Sequence, residues 1–206
     1  MLDDRALMQA LNSTPVVDGR RQDLWREDHE VDKWALEHGG SGGDEERRWL
    51  RTARDALQAV ESGRPAEAAE TAETPGATEA AETAKAPEAT ETAEATDATG
   101  AAETALGQIL AGVRKVPRPS TSGIEWHMEV PSERRLAVEL VLAWADVKAR
   151  MPGRLRPCGN PECRLFLLDR SRANAARWCS MKTCGNRLKA RRHQARARDT
   201  TRPRPQ

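Results

Sequence analysis

The chain has 206 residues, and its 33 basic and 32 acidic side chains leave a formal net charge of +1 at pH 7. It contains no Tyr and a single Phe, so it is poor in the side chains on which single-stranded bases stack. No apolar run reaches the roughly 18 residues that a membrane-spanning helix needs. The sequence therefore argues against a membrane-spanning helix and disfavours a stacking platform for single-stranded nucleic acid.

The first strong helical pattern runs from Asp44 to Val60. Trp49, Leu50 and Leu57 fall at helical spacing within it. Acidic side chains occupy its first turn, where they complement the positive end of the helix dipole. The segment therefore predicts an amphipathic helix with one buried face.

Residues 66–104 differ in composition from the rest of the chain. They hold 15 Ala, 9 Thr and 10 acidic side chains, and they contain no Val, Ile, Leu, Met or aromatic residue. Such a segment has no apolar face to bury, so we predict a disordered, acidic, low-complexity insert. The insert is either a spacer within a loop or, because its net charge is −9, a competitor with nucleic acid for the basic C-terminal region.

Three patterns follow the insert. Ala105 to Val116 repeats the helical spacing. Apolar and polar residues alternate from Ile124 to Val130, which is typical of a short strand. Ser132 is the predicted N-cap of a helix over Glu133–Arg150.

Residues 1–65 and 105–153 together predict one helical domain. Its core is expected to contain five tryptophans, namely Trp25, Trp34, Trp49, Trp126 and Trp144. The alternative is that these side chains line a pocket for a small apolar or aromatic ligand, which would make the domain a sensor.

The four cysteines lie in the last quarter of the chain, as Cys158-x4-Cys163 and Cys179-x4-Cys184. Two close pairs are the usual way for a chain to supply four thiolates to one tetrahedral Zn²⁺. Two disulfides are the alternative, but the acidic start of the chain does not fit a signal peptide, so we expect a reducing cytoplasm. Four protein ligands leave no coordination position for a substrate, so the predicted zinc ion is structural.

The elements around the cysteines predict a hairpin followed by a helix. Leu165 to Leu168 suits a strand, and Arg177-Trp178 is its predicted partner strand. Ser180 to Arg198 is rich in helix-forming residues. This order resembles a treble-clef zinc finger, which is too small to fold without its metal. Replacing Cys179 with Ser is therefore expected to unfold the finger and leave the helical domain folded.

The basic residues are concentrated in the finger. Residues 154–206 hold 15 basic side chains against three acidic ones, a balance of +12. This excess suggests a polyanionic partner, and duplex DNA is the leading candidate. A helix braced by zinc and rich in Arg suits the major groove. The predicted nucleic-acid contacts on this helix are Arg187, Lys189, Arg191 and Arg192.

Other functions remain open at this stage. The basic region could be a solvated tail, an RNA-binding module or a surface for an acidic protein partner, with the zinc ion as a brace. No Gly-rich phosphate loop, Ser-centred elbow or His-Glu-x-x-His helix is present, and the four histidines are scattered. We therefore expect a protein that is not an enzyme.

The residues around the second cysteine pair resemble the CGNR zinc-finger family. The resemblance is carried by Trp178 to Met181, Cys184 to Arg187 and Lys189 to His193, and Phe166 to Arg172 also fits. Within the run Cys184 to Arg187, we expect Gly185 to allow close packing near the metal and Asn186 to brace the cysteine turn or contact phosphate.

Proteins of the CGNR family typically carry an N-terminal helical domain called ABATE, which is associated with stress-induced transcription regulation. The start of the chain resembles this domain at Ala6 to Ser13, Val16 to Gly19, Asp23-Leu24 and Trp34 to Leu36. This second resemblance implies a bacterial transcription regulator, with the helical domain as its sensor or interaction part.

The sequence as a whole predicts a mainly α protein of four parts. A helical domain (1–65 and 105–153) is interrupted by the disordered insert (66–104) and followed by the zinc finger (154–198) and a disordered tail (199–206). We expect it in the cytoplasm, associated with the nucleoid if it binds DNA. A small molecule or a protein is the expected effector of the helical domain.

Overall fold

The computed structural model describes residues 1–17, 19–63 and 90–191, with the backbone alone over 90–98. The described elements, in chain order, are α1 (Asp4–Leu11), β1 (Val16–Val17), β2 (Arg20–Arg21), α2 (Asp28–Glu37), α3 (Asp44–Ser62), α4 (Thr90–Leu110), β3 (Arg114–Ser120), β4 (Gly123–Glu129), α5 (Ser132–Arg150), β5 (Leu155–Pro157), β6 (Phe166–Leu168) and a π-helical turn (Met181–Gly185). The strands form three separate two-stranded antiparallel sheets. A mainly helical N-terminal region and a C-terminal hairpin and helix are therefore confirmed.

Helix α3 lies at the centre of the helical domain and packs against α1, α2, α4 and α5. Leu50 and Leu57 of α3 are fully buried, as are Leu136 and Leu140 of α5. Gly63 ends α3 in the left-handed conformation, at φ 61°, which glycine adopts without steric cost. The predicted amphipathic helix is thus confirmed, and its apolar face forms the core.

Helix α5 begins one residue earlier than predicted. Ser132 is its first residue, and Pro131 occupies the N-cap position. The Ser132 hydroxyl bonds to Glu133 rather than to a free backbone N–H, so the predicted cap is wrong.

Helix α4 begins at Thr90, inside the segment that was predicted to be disordered. The small side chain of Ala102 is buried together with Leu106 and Ile109 of the same helix. Alanine has the highest helix propensity, so an Ala-rich segment can continue this helix toward the N-terminus without large apolar residues. The domain therefore resumes before residue 105, whereas 66–89 lie outside the described residues.

The end of α4 also differs from the prediction. The helix stops at Leu110, and Gly112 adopts a positive φ of 71°. Val116, which was placed in a helix, lies in β3 and pairs with His127 of β4. The strand predicted from the alternation of Ile124 to Val130 is confirmed as β4.

Four of the five tryptophans belong to the core as predicted, and one does not. Trp25 and Trp34 are buried, and Trp49 and Trp144 are half-buried against the core. Trp126 is 60% exposed on β4, so its predicted place in the core is wrong. The alternation indicated a strand correctly, but the β3–β4 hairpin projects from the domain and leaves this residue in solvent.

The strands of the finger pair differently from the prediction. β6 pairs with β5, with Pro157 opposite Phe166, and not with Arg177-Trp178. The loop between Pro157 and Phe166 carries the first two cysteines, so hairpin and metal ligands come from one continuous stretch. Arg177 contacts that loop instead, because its carbonyl accepts a hydrogen bond from Gly159 N at 2.8 Å.

This hairpin is built into the core of the helical domain. Leu155 and Phe166 are 4% and 3% exposed, and they pack in the same cluster as the side chains of α1 and α3. Asn12, which caps the end of α1, bridges the two regions. Its Oδ1 accepts from Phe166 N at 2.7 Å, and its Nδ2 donates to Phe166 O at 3.2 Å. The finger is therefore fixed to the helical domain by both apolar and polar contacts.

Candidate metal centre

The first cysteine pair lies in a tight loop that closes the β5–β6 hairpin. Cys158 N donates to Leu165 O at 2.8 Å, which extends the pairing of the two strands. Cys163 N donates to Asn160 O, also at 2.8 Å, and this turn brings the second sulfur back toward the first. The local hydrogen bonds thus place both side chains on the same side of the loop.

The second pair is held by a π-helical turn. Ser180 precedes the turn, and its hydroxyl accepts from Thr183 N at 3.3 Å. Gly185 N donates to Ser180 O at 3.0 Å, which closes the wide turn around Cys184. Helical backbone continues over residues 186–191. Single π turns often occur at functional sites, and here one aims a sulfur at the other three.

The four sulfur atoms form one compact cluster, each within 4.8 Å of the others. The Sγ of Cys179 lies 3.7 Å from that of Cys163 and 3.6 Å from that of Cys184. At a Zn–S distance near 2.3 Å, sulfurs at the corners of a tetrahedron lie about 3.8 Å apart. A disulfide needs about 2.05 Å, and all four cysteines are free. The donor set therefore fits one Zn²⁺, and the alternative of two disulfides does not hold.

The electrostatics of the cluster also favour a cation. A hydrogen bond with Cys179 lowers the pKa of Cys163 to about 5 and raises the pKa of Cys179. Burial raises the pKa of Cys158, although Cys179 N lies 3.4 Å from its sulfur and offers a hydrogen bond. Four sulfurs this close cannot all ionise unless a positive charge lies among them. Zn²⁺ would supply that charge and cross-link the two cysteine loops.

Asn160 supports the cluster from within the first loop. It is 1% exposed, and its Nδ2 lies 3.6 Å from the sulfur of Cys184. Its Oδ1 accepts from Glu162 N at 3.3 Å. Asn160 thus connects the first loop to the second, a role that sequence spacing alone did not reveal.

Trp178 packs between the two cysteine loops. A Cβ on Gly159 would lie 3.2 Å from the Trp178 ring, and one on Gly185 would lie 3.1 Å from it. A Cβ on Gly185 would also meet Met181 Sδ at 2.8 Å. Both glycines are therefore required by close approach to the indole, which accounts for the close packing expected at Gly185. The side chain of Asn186 donates a long hydrogen bond, 3.4 Å, to Lys182 O, and its backbone N–H donates to carbonyls of the π-helical turn.

A second polar centre orders the chain between the cysteine pairs. The carboxylate of Asp169 is buried and accepts from Ser171 N, Ala176 N and Arg156 Nη2, each at 2.8 Å. Hydrogen bonds from Ser171 are the main reason that the pKa of Asp169 falls to about 2. Arg154 adds bonds to the carbonyls of Asp169 and Ser171. These contacts fix the loop that delivers the second cysteine pair.

The four residues predicted to contact nucleic acid differ in their exposure and in their ion pairs. Arg187 and Lys189 are exposed on the helix over 186–191, and neither forms an ion pair with any residue that the structure describes. Arg191 pairs with Glu162 at 2.6 Å, with both side chains about half exposed. Arg192 lies outside the described residues. The part of the finger that the structure describes thus presents two of these four cations unpaired, and nucleic-acid contact stays a prediction for all four.

A small cleft of ≈ 90 Å³ lies between the finger and the helical domain. The helical domain contributes Thr14, Gln58 and Ser62 to its lining, and the finger contributes Cys158 and Asn160 among others. The cleft therefore adjoins the metal centre, at the point where the two parts of the chain meet. Among the described residues no helix is long and apolar enough to cross a bilayer.

Residues 154–197 match the family model of the CGNR zinc finger. The match spans all four cysteines and confirms the resemblance that the second cysteine pair carries. An ABATE domain is not detected in the N-terminal region, so that resemblance stands on the sequence pattern alone. No curated protein sequence matches the chain.

Proposed function

We propose that the protein is a DNA-binding transcription regulator, in which a structural zinc ion holds the finger and the finger binds duplex DNA. The observation that carries the proposal is the exposure of cations on a small, metal-braced unit. Arg172, Lys182, Arg187 and Lys189 are exposed and form no ion pair with other described residues. Phosphate is the partner that such a surface fits best, in a segment whose net charge is +12.

Not all basic residues of the finger are available to bind phosphate. The guanidinium groups of Arg154 and Arg156 donate hydrogen bonds to backbone carbonyls and to the Asp169 carboxylate. They hold the loop between the cysteine pairs, so they are not free to bind phosphate. The described basic residues thus include some that build the finger, some in surface ion pairs such as Arg191 with Glu162, and some that are exposed and unpaired. The exposed, unpaired group is the proposed interface.

Duplex DNA is favoured over single-stranded RNA by the placement of the aromatic residues. Phe166 is buried in the core, and Trp178 packs between Gly159 and Gly185. Trp178 is half-buried, and the Arg177 guanidinium lies 5.4 Å from the centre of its ring, so the described part of the finger is poorly suited to base stacking. A helix that presents Arg and Lys beside a rigid zinc centre suits a groove or the phosphates that flank it.

The helical domain is proposed to receive the regulatory signal, from a small molecule or a protein, as its sequence resemblance to ABATE implies. The cleft between the domain and the finger supports this role. A ligand bound there would contact Gln58 on one side and the Cys158 loop on the other. The proposed site of action is the bacterial cytoplasm, and the proposed role is not catalytic, because four cysteine ligands leave zinc no open position.

The test is selection of random duplex DNA by the zinc-loaded protein at near-physiological salt with competitor DNA present. Enrichment of a defined motif is the expected result. The double variant Arg187→Gln/Lys189→Gln should then bind that motif more weakly and lower the salt slope by up to about 2, or about 0.9 for each lost phosphate contact.

The matched control is Arg26→Gln/Lys33→Gln, which removes one Arg and one Lys from exposed positions on the helical domain. It should leave the affinity and the salt slope unchanged. If no motif is enriched and residual binding disappears as salt rises, the finger is an electrostatic tether and an acidic protein partner becomes the better hypothesis.

A further inference from the structure

The β3–β4 hairpin projects from the helical domain. Val113, Met128 and Val130 anchor its base against the core, and a two-residue loop, Thr121 and Ser122, closes its tip. Within the part of the chain that the structure describes, its two strands pair only with each other. The hairpin is therefore an arm with two sheet edges and two faces.

One face of the arm is apolar and lies in solvent. Ile124 and Trp126 are 62% and 60% exposed on β4, opposite Pro119 and Pro117 of β3. Glu125 and His127 lie on the other face, because successive residues of a strand alternate. Large apolar side chains grouped in this way commonly mark an interaction surface.

The two edges of the arm differ in their capacity to pair. Ser120 and Gly123 close the two-residue turn, so they form a hydrogen-bonded pair. Hydrogen-bonded and non-hydrogen-bonded pairs then alternate along the hairpin, and residues of the non-hydrogen-bonded pairs direct their backbone N–H and C=O groups outward. Pro117 and Pro119 occupy outward positions on β3 and have no N–H to offer. Their partners on β4, Trp126 and Ile124, keep theirs. The β3 edge is thus blocked by proline, and the β4 edge remains open.

We propose that the open edge of β4 pairs antiparallel with β4 of a second copy of this chain, about a twofold axis at Trp126. Each Glu125 then lies opposite His127 of the other copy, and each Ile124 lies opposite Met128. An imidazole can donate a hydrogen bond to a carboxylate in either protonation state. The product is a four-stranded sheet that joins the two apolar faces into one surface.

Charge selects this register over its neighbours. Moving the axis to His127 places Glu125 opposite Glu129, and moving it to Glu125 places two Glu125 side chains together. Like charges directly opposite each other destabilise a strand pair. Of these three registers, only the one centred on Trp126 gives opposite-character pairs on one face and apolar pairs on the other, which is the complementarity that a twofold interface requires.

The test is sedimentation equilibrium of the zinc-loaded, full-length protein over a concentration series. We expect a reversible dimer, which Trp126→Lys should abolish. His127→Glu should weaken it by about tenfold or more, because it places two carboxylates opposite each other at two symmetric positions. The exchange Glu125→His/His127→Glu restores the complementary pairs and should recover the wild-type dissociation constant. Gln108→Glu, on the exposed surface of α4, adds the same charge and should have no effect.

Circular dichroism of each variant checks that it is folded. A protein that stays monomeric at every concentration overturns the proposal and leaves the β4 edge to an extended segment of another protein. A dimer that ignores Trp126→Lys and His127→Glu, or a folded exchange variant that fails to recover, equally overturns it.

Discussion

Removal of zinc is expected to destabilise the helical domain as well as the finger. The structure gives the reason, since Leu155 and Phe166 flank the first cysteine loop and are buried in the core that α1 and α3 share. Loss of the metal releases Cys158 and Cys163, and with them the ends of β5 and β6. The sequence-based expectation is that the helical domain stays folded when the finger unfolds, and the structure adds that the domain should then be less stable.

The size of the effect follows from the two buried side chains. Loss of a large apolar side chain from a core costs about 2–5 kcal/mol, so loosening of both is worth about 5 kcal/mol or more. A typical domain is stable by only about 5–15 kcal/mol. At about 2–4 °C per kcal/mol for a chain of this size, the Tm should fall by about 10–20 °C.

The assay is thermal unfolding followed by circular dichroism at a helical wavelength, with zinc bound and after chelation. Phe166→Ala removes the main coupling side chain, so this variant should show a lower Tm with zinc and a smaller further drop on chelation. Ile124→Ala, at an exposed position, is the control and should behave as the wild type.

A helical transition that does not move when zinc is removed would refute the reasoning. It would show that the β5–β6 hairpin keeps its place without the metal, or that its two apolar residues contribute little to the domain. An equal zinc-dependent shift in wild type and in Phe166→Ala would show instead that Phe166 does not carry the coupling.

Two further predictions concern the finger. The pKa of Asp169 is lowered to about 2, so its contribution to stability is complete above the unfolded-state pKa of about 3.9 and is lost as the pH falls through both values. The difference in unfolding free energy between wild type and Asp169→Asn, measured in urea, should therefore be largest above about pH 4 and shrink toward pH 2. Gly159→Ala should weaken zinc binding more than Gly185→Ala in a chelator competition, because its Cβ would meet the rigid carbonyl of Arg177 at 2.9 Å, whereas Met181 can move. Equal affinities in the two variants would contradict this ranking.

The metal centre was predictable because its information is local. Four cysteines in two pairs define a donor set whatever the strands between them do. The pairing of the strands was not predictable in the same way, because Leu155 to Pro157 and Arg177-Trp178 are both short and both adjoin a cysteine. Which of the two segments pairs with β6 depends on the Asp169 centre, whose partners lie up to 15 residues from Asp169 along the chain, at Arg154.

Helices α3 and α5 were predicted with nearly correct bounds, because large apolar residues repeat along the length of each. The start of α4 was missed because Ala102 buries a methyl group that composition does not distinguish from a solvated alanine. Trp126 was misplaced for the opposite reason, since alternation identifies a strand but not which side of it meets the core. The bridge from Asn12 to Phe166 spans 154 positions, and a single sequence carries no signal for such a contact.

The apolar core that the finger and the helical domain share limits where the chain can be cut and joined to another protein. The boundary that sequence composition suggests, near residue 153, falls between Met151 and Leu155, which both pack in the same cluster. A graft of the finger alone onto another protein would carry Leu155 and Phe166 into solvent and leave a gap beside Asn12. The smallest transferable piece is therefore the finger together with the surfaces of α1 and α3 that receive it. Exchange between related proteins of the segment that follows Cys184 should succeed far more readily than exchange at the apparent domain junction.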